Sequence, residues 1–193
     1  KVAMDILHLA KDTKCSGYMI IVIDVFSRYA IGTIVPDLKS ETVARALRDN
    51  ILIHSWGRPE EWVFDGASYF KAEVTASIEA WAALTKVSAP HHSESHGIIE
   101  RHNETYLNIL KCFGNVENWR EHYASAFEAY NRCHCEAISS TEAKFSPIEI
   151  WRPGYTVTPY KIPVLRESNP KYFEHFDKQK QLSERINETV KVS

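Results

Sequence analysis

Asp5, Asp65 and Glu100 are the side chains whose types and contexts suggest shared chemistry. Asp5 interrupts the apolar run Val2-Ala3-Met4-Asp5-Ile6-Leu7. A carboxylate there needs a partner or lines a site, because burying it unpaired is costly. Asp65 closes the short run Trp62-Val63-Phe64-Asp65, and open α/β sheets place their ligand groups at strand ends. Glu100 follows His96-Gly97-Ile98-Ile99, read as the first turn of a helix that Gly97 lets the backbone enter tightly, where the helix dipole favours a carboxylate. Three hard oxygen donors from two strands and a helix suit Mg²⁺ or Mn²⁺, with positions left for water and phosphate oxygens. Two such ions can activate an attacking oxygen and stabilise a leaving one in an in-line phosphoryl displacement. Spacing alone does not select this set, since Asp24, Asp37, Glu60 and Glu94 are also available.

The elements that must position these groups alternate in period. Val2 to Leu9 reads as a strand, and Lys11 to Gly17 as a hairpin-type connection. Tyr18 to Asp24 is continuously apolar and β-branched, as in a central strand covered on both faces. Tyr29 to Val35 is a third strand stopped by Pro36. Ser40 can cap a helix carrying Val43, Leu47, Ile51 and His54 at helical spacing and ending at Gly57. Glu61 to Asp65 is a short strand, Phe70 to Thr85 a helix, and Val87 to Ala89 a fifth strand. Pro90 to His96 reads as a polar loop. The helix from Gly97 places Ile98, Ile99, His102, Tyr106, Ile109, Leu110 and Phe113 on one stripe, with Glu100, Glu104 and Lys111 opposite. Trp119, Tyr123, Phe127 and Tyr130 share the face of another helix. A meander followed by alternating units predicts an α/β fold: a five-stranded mixed sheet with helices on both faces.

Composition is compatible with one domain and a short appendage: 193 residues, 44% hydrophobic and 25% charged. The chain begins at Lys1 with a strand almost at once and reads as a fragment of a longer protein. No apolar run approaches a membrane span. Cys15, Cys112, Cys133 and Cys135 lack paired CxxC spacing, so Cys133-His134-Cys135 reads as idle thiols rather than a zinc site. A net charge of −2 argues against nucleic-acid binding unless a carboxylate cluster or flanking segments account for it.

Several segments, in order, resemble the catalytic core of retroviral and long-terminal-repeat retrotransposon integrases of the DDE type. Met4-Asp5-Ile6-Leu7-His8-Leu9 resembles the first-strand segment, and Val22 to Tyr29 the V-x-D-x-F-S-R/K segment. Asp65-Gly66-Ala67-Ser68-Tyr69-Phe70 resembles D-N/Q-G-S-x-F, and Gly97 to Asn103 resembles G-x-x-E-R-x-N. Ser146 to Gly154 is similar to S-P-F-E-L and its following turn, and Tyr130-Asn131 also fits. The 34 residues between Asp65 and Glu100 are close to the usual spacing. The resemblance implies an RNase H-like core over residues 1–154, with 155–193 a C-terminal extension or linker helix. It implies that Asp5, Asp65 and Glu100 are catalytic and hold two Mg²⁺ (or Mn²⁺) ions, with Asp5 bridging them. The implied chemistry is 3′-end processing of double-stranded element DNA and strand transfer into target DNA. A homodimer or higher multimer is implied, in the nucleus or a virus-like particle and not in a membrane.

The sequence departs from this pattern at Gly66-Ala67, where Gly usually stands second after the Asp, and in the loop before Glu100. Glu104 and Leu107 stand where retroviral relatives place DNA-contacting lysines. Candidate DNA contacts are His91, His92, His96, Asn103 and Lys111, the three histidines being equally readable as exposed polar residues. Asp24 reads as fixing the Phe26-Ser27-Arg28 turn, His8 as a core or supporting histidine, and His102 as packed. Trp81, Trp119 and Tyr123 read as core or dimer-interface aromatics. The alternatives are a DDE transposase, a host gene derived from such an element, and a non-catalytic DNA- or protein-binding module.

Overall fold

The computed structural model describes residues 1–9, 17–50, 59, 61–64, 73–81, 86–88, 93–113, 119–139, 141 and 144–152. Five strands, β1 (Val2–His8), β2 (Tyr18–Asp24), β3 (Ala30–Val35), β4 (Glu61–Phe64) and β5 (Lys86–Ser88), form one sheet in the order β3-β2-β1-β4-β5. β1, β2 and β3 pair antiparallel, whereas β4 lies parallel to β1 and β5 parallel to β4. The helices are α1 (Ser40–Ala46), α2 (Glu73–Trp81), α3 (Ser93–Cys112), α4 (Trp119–Arg132) and α5 (Pro147–Trp151). The parallel β4-α2-β5 unit needs its helical crossover, because a tight turn cannot return a strand in the same direction. The mixed α/β architecture read from the sequence is observed.

Strand alternation divides the core in two. Val2, Met4 and Ile6 of β1 and Ile20 and Val22 of β2 pack with Val43, Leu47, Val74 and Ile78 on the α1/α2 side. Ala3 of β1 and Met19, Ile21 and Ile23 of β2 pack with Ile99, Tyr106, Leu110, Trp119 and Phe127 on the α3/α4 side. β2 is therefore apolar at successive positions because both its faces are covered. Asp5 shares parity with Ala3, so it projects toward α3 and not toward α1.

Two polar devices fix the β2–β3 end. The Asp24 carboxylate accepts the Ser27 backbone N–H at 2.8 Å and the Ser27 hydroxyl at 2.7 Å, which leaves Arg28 at φ 63. Asp24 thus closes the turn, as its strand-end position suggested. Buried Asn131 of α4 clamps β3: its Oδ1 accepts from Ala30 N at 2.9 Å and its Nδ2 donates to Ala30 O at 2.7 Å. Close packing of α4 on β3 also explains Gly32, where an added Cβ would meet Phe127 Cζ at 2.5 Å and Ile20 O at 2.9 Å.

Three sequence expectations need correction. α3 begins at Ser93, so part of the expected loop is helix and Glu100 lies beyond the first turn, where the dipole is weak. Ser93 and Glu94 are good residues for a helix start, and Gly97 is carried within the helix in open space rather than needed for a turn. The residue before α1 is Lys39 rather than Ser40. His8, expected to be packed, is exposed at the end of β1 with its ring edge on Tyr18. α5 was legible but unread: Ser146 and Glu149 form a capping box, in which the Glu149 carboxylate accepts from the Ser146 N–H at 2.9 Å and hydroxyl at 3.0 Å. Residues 155–193, expected to form an extension, lie outside the described residues.

Candidate active site on β1 and α3

The half-buried carboxylate of Asp5 is held from two sides. Its Oδ1 accepts from the Ile6 backbone N–H at 2.8 Å, and its Oδ2 accepts from Asn103 Nδ2 of α3 at 2.8 Å. A carboxylate is an acceptor only, which fixes the Asn103 amide with its nitrogen toward Asp5 and its oxygen away. That oxygen meets His102 Nδ1 at 3.3 Å. His102 must therefore carry its proton on Nδ1. Its ring is 2% exposed and lies against Tyr106, Phe127 and Tyr130, with centroid distances of 5.9, 6.1 and 4.4 Å. Burial lowers its pKa to about 4, against a smaller opposing effect of the Asn103 hydrogen bond, so the ring is neutral at pH 7. Burial likewise raises the phenol pKa values of Tyr106 and Tyr130. The packing of His102 read from its helical stripe is observed.

Glu100 is exposed and stands three residues before Asn103, one turn earlier on the same flank of α3. The fold thus brings Asp5, Asn103 and the Glu100 flank together on the α3 face of the sheet, over the central strand β1. Lys111 is exposed further along that flank, in the last turn of α3. Asp65, His91 and His92 lie outside the described residues, and of His96 only the helical backbone is described. Among the described residues no group of three His, Cys, Asp or Glu side chains is placed to hold a metal ion. The two described members of the expected set, Asp5 and Glu100, are hard oxygen donors. That donor chemistry fits Mg²⁺ or Mn²⁺ better than a soft or borderline metal. The role of Asn103 against Asp5 was not derivable from spacing, because the contact spans 98 residues.

The catalytic core domain of BIV integrase, known from a crystal structure, superposes with a TM-score of 0.59 at 15% identity, covering 79% of this chain and 93% of that one. An intasome of simian T-cell lymphotropic virus, in complex with the PP2A regulatory subunit B56 gamma, gives 0.61 at 17% identity over 82% of this chain and 55% of that one. The fold is that of an integrase catalytic core.

In sequence, the chain is 26% identical over 167 residues to the Tf2-3 and Tf2-4 transposon polyproteins of Schizosaccharomyces pombe, across 83% of its own length. It spans 12% of the length of these curated relatives. No family model matches the chain. The resemblance read from ordered short motifs is therefore borne out by relatives in the retrotransposon class and by structures in the retroviral one. No helix among the described residues is long and apolar enough to cross a membrane.

Proposed function

We propose that this chain is the catalytic core of a retrotransposon-type integrase, a metal-dependent polynucleotidyl transferase acting on DNA ends. The observation that carries the reading is the presentation of Asp5 from β1 to the Glu100 flank of α3, with Asn103 fixing the carboxylate. Asp5, Asp65 and Glu100 would hold two Mg²⁺ or Mn²⁺ ions. Bound there, the ions would supply Lewis-acid activation of the attacking oxygen and neutralise charge on the leaving one.

The chain's own residues do the positioning. The Ile6 N–H and the Asn103 amide hold the Asp5 carboxylate in one orientation. α3 carries Glu100 at fixed height above the sheet, because Ile99, Tyr106 and Leu110 anchor the helix in the core. The reaction would trim a 3′ end by hydrolysis and then join the freed 3′-hydroxyl to a target phosphodiester, within a multimer on element-end DNA in the nucleus or a virus-like particle. Lys111, exposed further along that flank, would meet a DNA backbone in this reading. A core over residues 1–154 with an extension over 155–193 is part of the same reading.

The test is Mg²⁺- or Mn²⁺-dependent strand transfer on a short duplex carrying the element's end, with Asp5→Asn, Asp65→Asn and Glu100→Gln run beside the unsubstituted protein. Product lost in all three variants is the expected result. Metal-independent DNA binding without product, unchanged by these substitutions, would replace the enzyme with a binding module of the same fold.

A further inference from the structure

The opposite flank of α3 borders a cavity of about 610 Å³ that the catalytic reading does not use. Gly97, Ile98, Arg101, His102 and Thr105 line it. At 3.6 residues per turn this flank lies about 150° around the helix from the Glu100/Asn103 flank. The rest of the wall comes from the β2–β3 turn, the C-terminal end of α4, the segment that follows it, and α5. Its volume falls within the range of sites for small organic ligands.

The wall combines an apolar surface with uncompensated positive charge. Ile23, Ile98, Tyr130 and Pro147 supply apolar area. Arg28 reaches the wall from its left-handed turn position, and its Nε and Nη1 are buried without a hydrogen-bond partner. Among the described residues neither Arg28 nor Arg101 is in an ion pair. Among the described residues of the wall, Glu136 is the acidic one and is exposed, so two guanidinium charges stand against one carboxylate. A monoanion balances this excess, and a carboxylate accepts the guanidinium fork through two parallel hydrogen bonds. A DNA strand also offers single charges, but its phosphates come as a polar, flanked row that apolar walls do not admit.

We infer that this cavity binds an amphipathic carboxylate, its apolar group on Ile23, Ile98, Tyr130 and Pro147 and its carboxylate directed at Arg28 and Arg101. The same chemistry is offered by a free organic acid or by an acidic side chain flanked by apolar residues in a peptide. The inference does not require a metal ion to be bound.

Amide chemical-shift titration of the ¹⁵N-labelled full chain tests it with four probes: 3-phenylpropionate, 3-phenylpropanamide, inorganic phosphate, and a blocked Leu-Asp-Leu peptide. The expected result is saturable shifts at Ile98, Thr105 and Ala137 with the acid, the peptide or both, weakened ~10-fold in Arg28→Gln and Arg101→Gln. Saturation by the acid alone assigns the site to small molecules, and saturation by the peptide assigns it to a protein partner. Arg101→Gln, at an exposed helix position, carries the test if Arg28→Gln does not fold. Equal affinity for the amide, stronger binding of inorganic phosphate, or no shift at these residues with acid and peptide would each overturn the assignment.

Discussion

Acidification should destabilise this protein through His102 at a pH where most surface groups are indifferent. The ring is neutral in the native state because burial lowers its pKa from 6.5 to about 4. The unfolded chain takes up a proton on this residue below about pH 6.5, whereas the native state resists until about pH 4. The unfolded state therefore binds more protons in that window, and stability falls as pH falls through it. Two and a half pH units at 1.36 kcal/mol each give a loss of about 3 kcal/mol by pH 4. None of the groups against the ring, Asn103, Tyr106, Phe127 and Tyr130, titrates in that range. His102→Phe keeps an aromatic ring in the stack and removes the titrating group. Urea unfolding at pH 7.5, 6, 5 and 4 should show the unsubstituted protein losing about 3 kcal/mol more than the variant over that range. Carboxylates elsewhere affect both proteins alike and cancel in the difference. Parallel pH profiles would refute the claim that His102 is held neutral by burial.

Three further outcomes follow from single contacts. Asn131→Ala leaves the Ala30 N–H and C=O without the Asn131 side chain in a buried site and should cost about 2–4 kcal/mol in urea unfolding. Gly32→Ala forces a Cβ into Phe127 and the Ile20 carbonyl and should cost about 1–3 kcal/mol, partly recovered by adding Phe127→Leu; strict additivity would show that the two do not meet. Asn103→Ala frees Asp5 Oδ2 and should weaken Mn²⁺ binding, followed by calorimetry, about 10- to 100-fold. An unchanged affinity would show that Asn103 does not set the carboxylate.

What the sequence made legible was periodic or chemically local. The uninterrupted apolar β2 announced a strand covered on both faces, and the stripe through Ile99, His102, Tyr106 and Leu110 announced the buried side of α3. Asp24 and Ser27 lie three residues apart, so their turn could be read from neighbours. Long-range pairings left no such trace. The Asn131 clamp on Ala30 spans 101 residues, and the cavity gathers side chains from four separate parts of the chain. The start of α3 differs from the sequence expectation for another reason. Gly97 reads as a boundary signal, but a glycine inside a helix costs only about 1 kcal/mol, which a buried stripe of this length offsets.

The buried stripe also links core packing to the candidate catalytic carboxylate. Asp5 accepts from Asn103, so the Asn103 oxygen must turn to His102, and His102 must present Nδ1–H. The His102 ring cannot readily rotate away, because Tyr106 and Phe127 stack on it and Tyr130 meets it edge-on. A protonated ring would still donate from Nδ1, but its second N–H would be buried where Nε2 has no partner. The aromatic packing between α3 and α4 thus holds the His102 ring where Nδ1 meets the Asn103 oxygen, which helps to keep the Asn103 amide nitrogen on Asp5. A substitution at Phe127 or Tyr130, far from the carboxylates in sequence, should therefore loosen Asp5 before it unfolds the sheet.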